Sequence, residues 1–269
     1  MALKSVELSD NLAVKAVGEK EFDKQYSDHC QYGKIHFWDE RYSKDPEPFE
    51  WFYPYTTFKD IINDYVAKEA HIMYAGCGNS FFMEDMVDDG FEDITGVDFS
   101  RVVIDGMKIR CKDYPEIKLV TANMQDSNLP EKSFDCIIDK GLLDAILCNL
   151  KGEEAVQNYV SEVERLLTPD GLFICISYGE PEDRLKYLEI YDIDSPLFTP
   201  WYTDVIGIQK PLENDWEELD PDDPASMYFI YLCRMEKKLA KQKVDRKKQQ
   251  AKKAKKAKEA KRKGHKNAL

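Results

Sequence analysis

The chain has 269 residues, of which 43% are hydrophobic and 12% aromatic. That suffices for the buried core of one sizeable α/β domain and argues against global disorder. The net charge of −13 is uneven: residues 237–269 hold sixteen Lys/Arg against Asp245 and Glu259, a charge of +14, which leaves −27 on the body. An acidic body attracts basic partners and repels nucleic acid, whereas the tail does the opposite.

The sequence lacks the run of about 18 apolar residues that a membrane-crossing helix needs. The opening "MALKSVELSDNLAVKAVGEKEFD" lacks the apolar stretch of a signal peptide and carries acids that a transit peptide avoids. A cytoplasmic protein is expected, with nuclear access through the basic tail. The seven cysteines (Cys30, Cys77, Cys111, Cys136, Cys148, Cys175 and Cys233) form no CxxC pair. An odd, scattered set fits a reduced intracellular protein, with no disulfide framework and no metal site expected.

In chain order, residues 1–33 read as a polar arm. "KIHFWDERYSKDPEPFEWFYPY" (34–55) is crowded with aromatics and holds Pro46, Pro48 and Pro54. Those prolines exclude a regular central strand, and its apolar content predicts an ordered flap lying on the domain. "TFKDIINDYVAKE" (57–69) has helical spacing. "HIMYAG" reads as a buried strand, and "NSFFMEDMVDDG" as a helix capped by Asn79 or Ser80 and stopped by Gly90. "DITGVDFS" is a second strand, with Ser100 capping "RVVIDGMKIRCKD". "IKLVTANM" and "FDCIIDKG" are the third and fourth strands. The amphipathic helix "EEAVQNYVSEVERLL" turns at "TPDG" into a fifth strand, "LFICIS". "WYTDVIGIQ" (201–209) and "SMYFIYLCRM" (226–235) predict an antiparallel strand pair around the acidic loop "KPLENDWEELDPDDPA". The rhythm gives an α/β fold: a doubly wound, Rossmann-like, seven-stranded sheet, mostly parallel, over residues 34–236. The Lys/Ala-rich segment 237–269 has no stripe that docks as a helix face and reads as a solvated, partly helical tail.

The loop "GCGNS" (76–80) raises the question of a ligand. A dinucleotide fingerprint needs a third glycine where Phe81 stands, and a P-loop needs a Lys-Ser/Thr pair that is absent. Asp98 lies at the end of the second strand, 22 residues after Gly76. An acid there accepts both ribose hydroxyls of a nucleoside. A nucleoside site without a pyrophosphate cradle fits S-adenosyl-L-methionine, with the glycines leaving room for its methionine part.

Several motifs in order then resemble one family. "FWDERY" (37–42), "EPFEWF" (47–52), "GCGNS" (76–80), "GVDFSRVVIDGM" (96–107) and "SFDCIIDKGLLDAI" (133–146) are similar to the seven-strand class I methyltransferases that modify lysines of translation elongation factor 1A. That group is related to the citrate synthase lysine methyltransferases. The resemblance covers residues 34–177, and "YFIYLCRM" resembles the family's closing strand. It implies that Trp38, Tyr42 and Trp51 close over the cofactor and that Arg41 meets its carboxylate. It places Gly76 and the main chain around Lys140 on the methionine side, Asp98 on the ribose and Phe99 on the adenine. Asn123 and Met124 bracket the adenine edge. The family usually has an acid at Asn123, whose amide oxygen still accepts from the adenine amino group, and often has Thr at Leu142.

The function implied is a protein-lysine N-methyltransferase with a basic protein substrate, elongation factor 1A by resemblance. Asp139 is the candidate acid that orients the incoming amine. Nucleic-acid amino-methyltransferases carry a [DN]PP[YFW] signature after the fourth strand, where this chain has "IDKG". A small-molecule acceptor and a non-catalytic binding module are the remaining alternatives. The tail at 237–269 suits RNA, the ribosome or an acidic protein surface, and no membrane.

Overall fold

A computed structural model describes residues 4–6, 31–149, 151–195, 197–210, 223 and 226–266. Most of the polar arm, all but Lys210 and Asp223 of the acidic loop, and the last three residues of the tail lie outside these.

Eight strands form one sheet: β1 (Lys4–Val6), β2 (His71–Ala75), β3 (Asp93–Asp98), β4 (Ile117–Thr121), β5 (Phe134–Lys140), β6 (Leu167–Ser177), β7 (Trp201–Gln209) and β8 (Met227–Met235). Their order is β1-β7-β8-β6-β5-β2-β3-β4. β8 runs antiparallel to both β6 and β7, and the other pairings are parallel. Strands β2 to β8 are the expected seven-stranded Rossmann-like sheet with its antiparallel closing pair. β1 is an addition: three residues of the arm pair with the β7 edge, a contact too short to carry a strand pattern in sequence.

Along β2 the side chains alternate. Ile72 and Tyr74 join a core with Phe58, Ile62, Phe82 and Met107, while Met73 and Ala75 join a second core with Leu143, Val156, Tyr159 and Val163. Both faces of the sheet are therefore covered, as a parallel sheet requires. One face carries α2 (Tyr55–Tyr65), α3 (Phe82–Asp88) and α4 (Arg101–Arg110). The other carries α5 (Leu142–Leu147), α6 (Gly152–Leu166) and α7 (Pro181–Leu188). In α6 the buried residues Val156, Tyr159, Val160, Val163 and Leu166 recur at helical spacing.

Three local differences from the sequence reading have physical causes. The flap segment opens with a regular helix, α1 (Ile35–Lys44), before its proline-rich loop. Helix α3 starts at Phe82, with Phe81 at the N-cap position instead of Asn79 or Ser80. The Glu50 carboxylate reaches in from the flap loop, accepting from Phe81 N–H and Ser80 Oγ at 2.7 Å each, and Ser80 Oγ accepts from Phe82 N–H at 2.9 Å. The capping oxygens thus come partly from thirty residues away. Third, the tail forms α8 (Lys237–Lys266), and its first turns meet the body through polar contacts. Lys243 Nζ donates to the Phe198 carbonyl and to Glu164, Arg246 pairs with Asp194, and Lys237 pairs with Asp170 at 2.7 Å. Ser100 caps α4 as expected, its hydroxyl accepting from Val103 N–H.

Candidate active site

A cavity of about 430 Å³ opens at the carboxyl ends of the parallel strands, where ligands bind in open α/β sheets. The turn after β2 forms its floor. Gly76 (φ +65°) and Gly78 (φ +53°) are left-handed. A Cβ on Gly76 would lie 2.9 Å from Leu142 Cβ, and one on Gly78 2.9 Å from the Tyr42 hydroxyl oxygen. The glycines are therefore required by the turn and by the chain's own packing before any ligand is considered. Gly76 and Cys77 both donate their N–H to the Val97 carbonyl, which ties the turn to β3.

Asp98 ends β3 and is buried. Its Oδ2 accepts from Gly78 N–H (3.0 Å) and its Oδ1 from Ser100 N–H (2.9 Å). Burial pushes its carboxyl up to about 6, against the pull of those amide hydrogen bonds. Each oxygen keeps lone-pair capacity for a further donor. Phe99 flanks it, and Asn123 and Met124 follow β4 on the same wall. Asn123 Oδ1 accepts from Gln125 N–H at 3.0 Å, an Asx turn that orients the side chain.

Helix α1 and the loop after it roof the cavity. Trp38 stacks on Tyr42 with centroids 5.7 Å apart and meets Trp51 edge-on at 6.3 Å. The indole of Trp38 donates to the Tyr32 carbonyl at 2.6 Å. Arg41 pairs with Asp45 at 2.9 Å and lies over Phe49. Polar contacts pin this roof to the turns and strand ends beneath it. Asn79 Nδ2 donates to the Glu47 carbonyl (2.5 Å), and Ser100 Oγ to Asp39 (2.5 Å). Glu50 takes the Ser80 and Phe81 donors already described and also the ammonium of Lys140 at 2.8 Å. Lys140 Nζ further donates to the Trp51 carbonyl at 2.6 Å. Burial lowers the Lys140 pKa, and Glu50 opposes that shift.

The ten residues expected at the cofactor (Trp38, Arg41, Tyr42, Trp51, Gly76, Asp98, Phe99, Asn123, Met124 and Lys140) all line this one cavity. Asp139 does not. Its side chain is fully buried, accepting from Leu142 N–H (2.7 Å), Leu143 N–H (3.0 Å) and the Tyr159 hydroxyl (2.8 Å). Gly141 (φ +88°) folds the chain back so that the first amides of α5 point at Asp139. The carboxylate is thereby spent on holding the β5–α5 turn. Its burial pushes the carboxyl up to about 7.

The cavity wall carries a different acid, Asp144 on α5. Its Oδ1 accepts from Ser177 Oγ (2.6 Å) and from Arg184 Nη2 (2.8 Å). The sequence reading also gave no role to Phe52, Tyr178, Lys210 and Tyr228, which line the β6–β8 end, nor to Glu50. Glu50 lies within "EPFEWF", where an acid among the aromatics of a flap is the signal in sequence.

A doubly wound sheet with a glycine turn after its first core strand, an acid ending the next, and an aromatic roof is an arrangement that fits a nucleoside cofactor. A model of the family "Methyltransferase domain" matches residues 73–175. The chain belongs to the class I S-adenosylmethionine-dependent methyltransferases. It is 33% identical over 167 residues to "EEF1A lysine methyltransferase 4" of Mus musculus, a match covering 58% of this chain and 66% of that protein. It is 33% identical over 151 residues to "eEF1A lysine and N-terminal methyltransferase homolog" of Drosophila melanogaster, covering 55% of this chain and 22% of that one. The chain thus spans just under two thirds of the first relative and about a fifth of the second. A solved structure from work on conversion of a disulfide bond into a thioacetal group during echinomycin biosynthesis shares the fold. Its TM-score is 0.52 at 17% identity, covering 81% of this chain and 99% of that one. Among the described residues no helix is long and apolar enough to cross a membrane.

Proposed function

We propose that the chain is an S-adenosylmethionine-dependent protein-lysine N-methyltransferase acting on translation elongation factor 1A. The observation that carries this reading is the joining of Asp98, the glycine turn and the pinned aromatic roof in one cavity, in a chain whose relatives bear elongation factor lysine methyltransferase names.

The residues present fit the cofactor. Asp98 offers a buried anionic acceptor to a sugar diol, and Phe99 and Met124 offer apolar flanks to a base. Trp38, Tyr42 and Trp51 present aromatic faces suited to a sulfonium cation. Gly76 and the main chain at Lys140 border the amino-acid end, with Arg41 as its carboxylate partner once the Asp45 pair exchanges. When bound, S-adenosyl-L-methionine supplies a methyl group on a good leaving group. The protein's task is then to position a neutral amine in line and to exclude water. A lysine, with a solution pKa of about 10.4, sheds its proton before attack, and an apolar channel favours the neutral form. Asp139, spent on the turn, acts as a positioning residue for the Gly141–Leu142 wall rather than touching the amine.

The −27 body suits a basic protein surface. Helix α8 contributes a separate polyanion contact, to RNA or the ribosome. Titration calorimetry with S-adenosylmethionine, followed by labelling of a cell extract and mass spectrometry, tests the function. Cofactor binding and methyl-lysine on a protein of elongation factor 1A mass are expected. Label confined to RNA or small molecules would overturn the lysine assignment, and absence of cofactor binding would leave only a binding module.

A further inference from the structure

The turn at Asn79, Ser80 and Phe81 is gripped from two sides. From the roof, the Glu50 carboxylate accepts from Phe81 N–H and Ser80 Oγ, and the Glu47 carbonyl accepts from Asn79 Nδ2. From the other side comes Arg110, the last residue of α4. Its guanidinium commits all three nitrogens there. Nη1 donates to the Asn79 carbonyl at 2.7 Å, Nη2 to the Ser80 carbonyl at 2.5 Å, and Nε to Glu84 at 2.6 Å. The Phe81 ring covers the guanidinium, its centroid 4.7 Å from the guanidinium carbon. Glu84 is buried, its second oxygen has no hydrogen-bond partner among the described residues, and Arg110 is its cationic partner.

The Ser80–Phe81 peptide carries both grips. Its carbonyl faces Arg110 and its N–H faces Glu50. In a planar trans peptide these two groups point in opposite directions. Turning the carbonyl away from Arg110 would turn the N–H away from Glu50. Arg110 and Glu50 therefore act on one rigid unit from its two ends. Glu50 in turn takes the Lys140 ammonium at the end of β5, and the neighbouring Trp51 presents its carbonyl to the same ammonium. The orientation of one peptide thus passes to the aromatic roof. A guanidinium suits this role because its planar fork presents donors in fixed directions, whereas a lysine ammonium is a single point charge.

We infer that Arg110 is a positioning residue for the cofactor. It stands outside the cavity wall and acts through the Ser80–Phe81 peptide and Glu50 to hold the roof over the site. The role concerns retention of the cofactor and holds whichever acceptor the chain methylates.

Variants of the full chain test this. In Arg110→Lys, which keeps a cation beside Glu84 and loses the fork, affinity for S-adenosylmethionine in titration calorimetry should fall about fivefold or more. Without ligand, acrylamide should quench the tryptophan fluorescence of this variant more strongly than that of the unsubstituted chain, as Trp38 and Trp51 become accessible. Arg110→Met with Glu84→Met removes the buried charge together with its partner. That pair should melt at a higher temperature than Arg110→Met alone, yet bind the cofactor no better than Arg110→Lys. Glu50→Ala cuts the same link at its other end, so adding Arg110→Lys to it should weaken binding by about twofold at most. Unchanged affinity or unchanged quenching in Arg110→Lys would overturn the inference. So would additive losses in the variant carrying both Glu50→Ala and Arg110→Lys, or a cofactor affinity that recovers along with the melting temperature in the double Met variant; either result would make Arg110 a strut of the fold alone. The quenching is read without ligand, which separates this inference from the proposed function. Raised quenching in a chain that binds no cofactor supports the link from Arg110 to the roof and removes the proposed function instead.

Discussion

Glu50 and Lys140, ninety residues apart in sequence, form a 2.8 Å ion pair in which the lysine side chain is 1% exposed. The pair joins the roof to the end of β5, and the same carboxylate caps the turn before α3. Removing one partner of a buried pair leaves the other uncompensated, at a cost of about 3 kcal/mol. Glu50→Ala should therefore lower stability by about that much in urea unfolding. It should also weaken cofactor binding by about tenfold or more, about 1.4 kcal/mol. Adding Lys140→Met should restore much of the stability but little of the affinity. Equal recovery of both would show that the pair stabilises the core without holding the roof.

Asp98 gives cofactor binding a pH dependence. Its carboxyl is raised to about 6 because burial disfavours the anion. A ribose diol donates to the anion, so affinity should be full above pH 6 to 7 and should weaken as pH falls through about 6. Asp98→Asn should bind more weakly and lose this dependence. A calorimetric pH series in which both proteins show the same slope would remove Asp98 from the ribose.

Asp139 and Tyr159 should affect stability. The Asp139 carboxyl is raised to about 7, above its ordinary value of 3.8. The folded state therefore holds that proton more tightly than the unfolded state. The contribution to stability is greatest below pH 4 and declines as pH rises through about 7. Asp139→Ala orphans the Leu142 and Leu143 amides and should cost about 3 kcal/mol, whereas Tyr159→Phe should cost about 1. Asp139→Asn should flatten the decline between pH 4 and 7. A loss of turnover in Asp139→Asn with folding and cofactor affinity intact would instead place the acid in the chemistry.

Gly78 and Tyr42 form a testable contact. Gly78→Ala introduces a Cβ 2.9 Å from the Tyr42 hydroxyl oxygen at a left-handed φ. A loss of about 1 to 3 kcal/mol is expected from strain and overlap together. Tyr42→Phe in the same chain removes the overlap and should recover part of the loss, leaving the backbone term. Thermal melts of the four proteins in the cycle give the coupling.

Truncation of the tail should depend on where the cut falls. Removing residues 247–269 leaves the Lys243 and Arg246 contacts in place, so the body's melting temperature should be unchanged while binding to polyanionic RNA weakens. Removing 237–269 also takes away Lys243, which is 9% exposed and bridges Glu164 and Phe198, and should lower the melting temperature. Identical RNA affinity with and without 247–269 at low salt would exclude α8 as the contact.

Much of this architecture was legible in sequence because period and punctuation agreed. "WYTDVIGIQ" is β7 residue for residue, and Gly76, Asp98 and Ser100 fall at strand ends where turn chemistry leaves few alternatives. An acid at a strand end, such as Asp139, looks the same in sequence whether it faces a cavity or the next helix. Gly141's backbone decides, by returning two amides to it. The β6–β8 wall was illegible for a different reason: Phe52, Tyr178 and Tyr228 are brought together by a sheet order that runs against the chain order. The docking of α8 leaves no apolar pattern, since its contacts are made by Lys243 and Arg246.

The placement of α8 has a geometric consequence. Its anchors, Glu164, Asp170, Asp194 and Phe198, cluster where β6 and β7 begin, at the opposite end of the sheet from the cavity. At 1.5 Å per residue, its 30 residues make a rod about 45 Å long. Whatever grips that rod holds the enzyme by its rear. The cavity opens at the far end of the strands from those anchors.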